Sequence, residues 1–359
     1  MIRVRSPVWL AQPGRFASLR PGHALLGVVL ILAALIAVLA THGGRTVATG
    51  DPSLQTAMVE GVRAGGDYYS VTAQALRAAG DPLKPVFVFR LPTLTVVQAA
   101  LPDLLGILLL IAIAAATALA WTRRIAGWFT APAGRIVALA VLAGGIVAVV
   151  RPDAIRAHDV WAGLLIAWAM AIRRDDRWVE AGAIGLCAML VRETAAIPVL
   201  AMLAAAMVER RRREAIGWGA ALAVFVAVLT LHARAAALTA GPLDLATPPW
   251  AGPLGPAGVA DALAQASVLH PLPWWIGAPA ALLALAGWFA APGPLGRRMA
   301  WAFGGVALAA VLVGPDGGGW VAIVAPVFPL GLAFLPDAVR DLWRGVLDRR
   351  RVRVQRITR

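Results

Sequence analysis

The chain has 359 residues, of which 60% are hydrophobic and 14% charged, and a mean hydropathy of +0.75. Apolar runs recur along its whole length, which excludes a soluble globular domain: in water that much apolar surface drives aggregation, whereas in lipid only the backbone hydrogen bonds must be closed internally, as helices do. The formal net charge of +14 raises nucleic acid as a partner, but the distribution of that charge points to a membrane surface instead.

Residues 1–23 form a basic amino-terminal segment with Arg3, Arg5, Arg15 and Arg20, and the uncharged run 24–40 reads as a first spanning helix with the amino terminus cytoplasmic. The rival reading, a signal peptide cleaved near Ala37-Val38-Leu39-Ala40, is disfavoured by a run long for such a segment. A first outer loop, 41–92, follows. Within it Asp51-Pro52 opens a short amphipathic pattern of Leu54, Ala57, Met58, Gly61 and Val62, suited to lying flat at an interface. A second helix is predicted directly after it, with Gly65-Gly66 before it, Asp67 as amino-terminal cap, apolar positions from Tyr68 to Ala79 at helical spacing, and Gly80 as stop signal.

Further apolar segments lie at 93–120, 136–150, 160–172, 179–191, 195–208, 215–231, 274–290, 299–313 and 320–335. The predicted fold is thus all-α and polytopic, with about ten spans, several of them shorter than the roughly 20 residues that cross a bilayer. The second long outer loop, 232–273, is Pro- and Gly-rich toward its end and carries Trp250 and His270, which reads as a segment lying on the membrane interface. Residues 336–359 form a basic cytoplasmic tail. Cys187 is alone inside an apolar run; it excludes a disulfide framework and reads as a small buried residue.

Under alternation most of the 33 basic residues fall on the cytoplasmic side, including Arg123, Arg124, Arg135, Arg173, Arg174, Arg177, the run 210–213, Arg297 and Arg298. That is the positive-inside pattern, so the basic tail meets anionic headgroups and no nucleic-acid partner is needed. Lys84 is the only lysine; the Ala, Gly and Arg bias suggests a bacterial inner membrane, with both termini cytoplasmic. Carboxylates sort to the other side, among them Glu60, Asp67, Asp81, Asp153, Asp159 and Glu193.

Three polar elements on that outer side stand out. The first is Gly66-Asp67-Tyr68-Tyr69, followed by Ala75-Leu76, Gly80-Asp81-Pro82 and Phe87-Val88-Phe89-Arg90-Leu91-Pro92. The second is Arg151-Pro152-Asp153 with His158-Asp159; the third is Arg192-Glu193-Thr194. Each has an ordinary explanation: Asp67 as a helix cap, Asp153 and Asp159 as favourable charges at helix starts, Tyr68 and Tyr69 as interfacial anchors, and the arginines as headgroup contacts. Ionised groups near hydrocarbon are costly, however, which favours paired or functional roles.

In layout, residues 20–215 resemble the GT-C-type integral membrane glycosyltransferases. The resemblance is nearest to the polyprenol-phosphate-mannose-dependent mannosyltransferases, with aminoarabinose and protein O-mannosyl transferases similar in layout. It implies a GT-C-like fold for 24–335, a polyprenyl-phosphate sugar as donor, a glycan, lipid or protein acceptor, and an active site on the periplasmic side. Asp67 matches the position of the family's essential acidic residue, and its implied role is base toward an acceptor hydroxyl, with inversion at the sugar. Tyr68, Tyr69, Lys84, Arg90, Arg151, Asp153, His158, Asp159, Arg192 and Glu193 are the expected substrate-binding set. Because phosphate leaves as a stable anion, one base suffices and no cofactor is required; a divalent metal would draw on Asp67, Asp153 or His158, though no spacing demands one. The chain departs from the family where Gly317-Gly318-Gly319-Trp320 precedes Ala325-Pro326-Val327-Phe328-Pro329, in place of an Asn or Arg before the last span. A flippase for lipid-linked sugars or other transporter, and a non-catalytic scaffold of the same fold, are the competing classes; ionisable groups at helix ends favour surface chemistry over transport.

Overall fold

The structure, a computed structural model, describes residues 6–41, 52–247, 253–313 and 319–347. The basic run 349–353, residues 42–50 and Gly317-Gly318 of the sequence reading lie outside them. The described chain is helical and contains no strand: α1 (Pro21–Ala40), α2 (Pro52–Arg63), α3 (Tyr68–Ala79), α4 (Thr93–Ala100), α5 (Asp103–Trp128), α6 (Pro132–Val149), α7 (His158–Ile172), α8 (Val179–Val191), α9 (Ala196–Val208), α10 (Arg212–Thr239), α11 (Gly255–Gln265), α12 (Trp274–Ala290), α13 (Gly293–Val313) and α14 (Leu335–Leu347). Among these, five are long and apolar enough to cross a membrane: α1, α5, α6, α10 and α13. α7, α8, α9 and α12 are shorter apolar helices. Leucines such as Leu30, Leu104 and Leu231 stand exposed on the long helices, as expected for surfaces solvated by lipid.

Polar contacts sort the helix ends into two poles. At the first pole the amino-terminal segment meets the end of α5, where Ala11 N–H donates to the Trp128 carbonyl at 2.8 Å. There Arg15 donates to the carbonyls of Trp288 and Ala291, at 2.7 and 3.0 Å, satisfying the end of α12. Arg124 does the same for α7 through the carbonyls of Ala171 (2.7 Å) and Arg173 (2.5 Å). Also at this pole, Arg173 and Arg298 converge on Glu214 and bind the end of α7 and the starts of α10 and α13 into one buried ion cluster. At the opposite pole lie α2, α3 and α4, the starts of α5 and α7, the turn between α8 and α9, and the end of α10.

Four expectations are corrected. The run 93–120 is not one helix: Leu101-Pro102 divides it into α4 and α5, because Pro102 cannot supply an amide to a continuous helix and suits a start position. The expected loop 232–273 is helical in two places where it is described: α10 continues to Thr239, and α11 has Val259, Ala260, Asp261, Leu263 and Ala264 all buried, while Trp250 lies outside the described residues. The small side chains of α11 let it pack against α1, α12 and α13. Cys187 is exposed on the outward face of α8, not buried.

The stretch 320–335, expected as a span, is no α-helix. It forms two 3-10 turns, Gly319–Val324 and Phe328–Phe334, running through the interior of the bundle. Pro326 and Pro329 remove amide donors, and the surrounding helices present glycines that let this irregular backbone approach. A Cβ on Gly287 of α12 would stand 1.9 Å from the Gly331 carbonyl oxygen, and one on Gly145 of α6 would stand 2.5 Å from that of Pro326. The freed carbonyl groups find new donors, such as Trp288 Nε1, which donates to the Phe328 carbonyl at 2.8 Å. Non-helical backbone at this depth is tolerated because protein, not lipid, surrounds it.

Candidate functional site

α2 and α3 form a tight hairpin in the first loop. Gly65 adopts φ +92°, and Gly66 and Gly61 lie so close to Val71 that a Cβ on either would stand 2.5–2.6 Å from that side chain. The Asp67 carboxylate accepts the Ser70 amide at 3.0 Å and caps α3. At the other end Gly80, at φ +72°, and the Asp81 amide on the Leu76 carbonyl close the helix. Capping leaves the Asp67 side chain exposed at the rim.

The face of α3 carrying Tyr68, Thr72, Ala73 and Leu76 is buried, with Leu83, Phe89 and Ala236 packed against part of it. Tyr68 donates its hydroxyl to the Arg90 carbonyl at 2.6 Å, and burial pushes its phenol pKa up. Tyr69 stacks edge-on to Tyr68 at 5.2 Å and pairs through its hydroxyl with His232 Nδ1 at 3.1 Å. His232, buried in α10, also meets the Phe89 carbonyl through Nε2 at 3.1 Å. The loop before α4 is therefore held from two sides.

Below this loop the second and third elements of the sequence reading come together. Arg192 ends α8 and is buried; its Nε donates to Asp159 at 2.6 Å, and its Nη1 meets Glu193 Oε1. Burial works against the Arg192 charge, but the Asp159 and Glu193 carboxylates outweigh it and hold its pKa up. Arg90 Nη1 reaches the same Glu193 oxygen at 3.3 Å, while burial and the Arg192 charge press its own pKa down. Asp159 lies in the first turn of α7, where the helix dipole favours a negative charge.

This cluster is incompletely satisfied. Both ring nitrogens of buried His158, the Glu193 Oε2, the Thr194 hydroxyl and the Thr72 hydroxyl lack hydrogen-bond partners among the described residues. Such groups are expensive unless a water or ligand completes them, so the cluster is equipped to receive several hydroxyl groups.

Tyr68, Arg90, Asp159, Arg192 and Glu193 are thus linked, with Tyr69 beside them and His158 adjoining Asp159 in the chain. One expected member, Lys84, points elsewhere. Lys84 contacts the Pro242 carbonyl at 3.2 Å, and the neighbouring Arg77 grips Asp244 at 2.7–2.8 Å, so both brace the loop after α10. Arg151 is exposed just before the 3-10 turn Pro152–Arg156; the Asp153 side chain lies outside the described residues. Among the described side chains no three of His, Cys, Asp and Glu converge as metal ligands. The sequence reading missed His232, Thr72 and the Glu214 cluster. A histidine inside a long apolar helix, and a glutamate in its first turn, were the available signals.

No protein-family model, no curated protein and no solved structure matches this chain.

Proposed function

We propose that the protein is a membrane glycosyltransferase of GT-C-like architecture. It moves a sugar from a polyprenyl-phosphate donor to an acceptor hydroxyl at the pole that carries α2 and α3. The observation that carries this reading is the juxtaposition in the first loop. An exposed carboxylate, Asp67, is fixed by its capping bond one residue from Tyr68, whose hydroxyl anchors the Arg90 loop over a cluster with unfilled hydrogen-bond positions.

In this mechanism Asp67 takes the proton of the acceptor hydroxyl as its oxygen bonds to the anomeric carbon. The bond from that carbon to the phosphate oxygen breaks, its electron pair leaves on the polyprenyl phosphate, and the sugar inverts. Arg90, the more exposed of the two clustered arginines, faces the departing phosphate, and Arg192 holds Glu193 and Asp159 in position. Glu193 Oε2, Thr194 and His158 receive sugar hydroxyls. Ten crossings, nine helical and the last made by the interior 3-10 segment, would put both termini on one side of a bacterial inner membrane. Ionisable clusters gathered at the poles fit surface chemistry better than a transport path through the midplane.

The test is transfer from labelled polyprenyl-phosphate sugars by purified wild type beside Asp67→Asn. Loss of about 10²-fold or more in the variant is expected for removal of the base. Undiminished transfer by Asp67→Asn would end the assignment of the base, and no transfer by wild type with any donor lipid would end the enzymatic reading in favour of a transporter or scaffold.

A further inference from the structure

At the opposite end of the molecule from the proposed active site, two cavities of about 420 and 430 Å³ adjoin where the end of α5 meets the turn between α7 and α8. Both are lined by Arg123, Arg124 and Arg174, and Arg177 lines the first. The two carboxylates of the lining offset only part of this charge. Asp175, in the second cavity, is already engaged by Arg173 at 2.8 Å and by Arg211 at 2.5 Å. Glu180, in the first, forms no ion pair among the described residues. Arg124 is fixed by its bonds to the Ala171 and Arg173 carbonyls. The side chains of Arg123, Arg174 and Arg177 have neither an ion-pair nor a hydrogen-bond partner among the described residues.

Several like charges around two concave spaces repel one another, and an anion between them would relieve that repulsion. Arginine forks suit phosphate oxygens in particular. Apolar side chains complete the lining of the first cavity, Ala120, Ala171 and Ile172, and in the second Trp128 and Leu295 stand beside Gln12 and the paired Arg173. Ala120 belongs to the apolar run of α5, and Leu119 beside it is 54% exposed on the surface of that helix. A phosphate held by the arginines would therefore have hydrocarbon-compatible surface leading away from it.

We propose that this cleft binds the phosphodiester headgroup of an anionic membrane lipid, with Arg123, Arg174 and Arg177 as the recognising side chains and Arg124 as a fixed partner. The acyl chains run along α5. The site is independent of the glycosyl-transfer reading.

The experiment uses the full chain in a neutral detergent. Its thermal unfolding is followed while phosphatidylglycerol, phosphatidylcholine or inorganic phosphate is titrated in, with bound lipid counted by native mass spectrometry. Phosphatidylglycerol is expected to raise the midpoint, and the other two are not. The combined variant Arg123→Gln, Arg174→Gln, Arg177→Gln should need roughly tenfold or more phosphatidylglycerol for the same rise, since each basic side chain near an anionic surface is worth an appreciable share of affinity. A control with equal charge loss, Arg20→Gln, Arg212→Gln, Arg213→Gln, removes exposed arginines outside the cleft and should respond like wild type. If the triple variant unfolds without lipid, the single variant Arg123→Gln carries the comparison, with a smaller but measurable weakening. Equal weakening in the control would overturn the proposal in favour of diffuse surface charge. Stabilisation by inorganic phosphate equal to that by lipid would overturn the lipid assignment, and an unchanged response in the cleft variants would overturn the site.

Discussion

Asp337, in the first turn of α14, accepts the backbone N–H groups of Val8 at 2.6 Å, Trp9 at 2.9 Å and Leu10 at 3.2 Å. One buried carboxylate thereby ties the start of the described chain to its end, with Arg340 at 3.3 Å as counter-ion. Asp337→Ala leaves these amides without an acceptor and should cost about 2 kcal/mol or more. The checks are the unfolding midpoint in detergent and the rate of trypsin cleavage after Arg15. An unchanged midpoint with unchanged cleavage would show that the clamp contributes nothing.

Glu214 receives Arg173 through both carboxylate oxygens, at 2.9 and 2.5 Å, and Arg298 at 2.5 Å, with all three side chains buried. Its removal leaves Arg298 with Glu209 and Arg173 with Asp175 as the remaining carboxylates, and each guanidinium loses its most buried partner. Glu214→Ala should therefore destabilise by about 2–3 kcal/mol, more than the loss of an exposed pair such as Arg63–Asp103 in Asp103→Ala. Comparable midpoints for the two variants would count against the cluster as a structural tie.

The interior segment makes glycine at 287 and 331 a packing requirement. A Cβ at Gly331 would stand 2.0 Å from the Ala284 carbonyl oxygen, whereas one at Gly219 on α10 meets nothing within 4 Å. Gly331→Ala and Gly287→Ala should each separate α12 from the 3-10 segment, with losses of about 1–3 kcal/mol or failure to fold. Gly219→Ala should be neutral or slightly stabilising. Yield and midpoint of the three purified variants decide it.

Capping and catalysis can be separated at Asp67. Asparagine caps a helix about as well as aspartate, so Asp67→Asn should leave stability within a few tenths of a kcal/mol while Asp67→Ala costs about 1 kcal/mol. If Asp67 is the base, both variants lose transfer alike. Activity that tracks stability across the pair would reduce Asp67 to a cap.

Tyr68 supplies an alkaline signature. Its folded phenol keeps its proton above the ordinary value of about 10 because it is buried, so the unfolded chain releases that proton first. The stability it contributes is complete below about pH 10 and drains as pH rises toward the folded pKa. With two tyrosines and one lysine in the chain, few groups compete in this range. The midpoint of wild type should fall more steeply between about pH 9.5 and 11.5 than that of Tyr68→Phe. Parallel curves would contradict it.

Local chemistry made much of this molecule legible in its sequence. The α2–α3 hairpin is written in Gly65-Gly66-Asp67 and Gly80, because caps and left-handed turns depend on residues a few positions apart. Long apolar runs specify α1, α6 and α10 in the same local way. The sidedness of arginine foreshadowed the two poles of polar contacts, since charge at helix ends repeats along the chain.

The rest depended on neighbours far away in sequence. Arg192 meets Asp159 across 33 positions and Arg298 meets Glu214 across 84, and no spacing rule specifies such partners. The stretch 320–335 is apolar enough for a helix. The glycines of α6, α7 and α12 and the donor of Trp288 let its backbone leave helical geometry inside the bundle. Sequence alone determined which segments avoid water and where the helices of the α2–α3 hairpin begin and end. The tertiary structure decided which segments are shielded from lipid as well, because a buried backbone can exchange its own helical hydrogen bonds for those of its neighbours, and a backbone in lipid cannot.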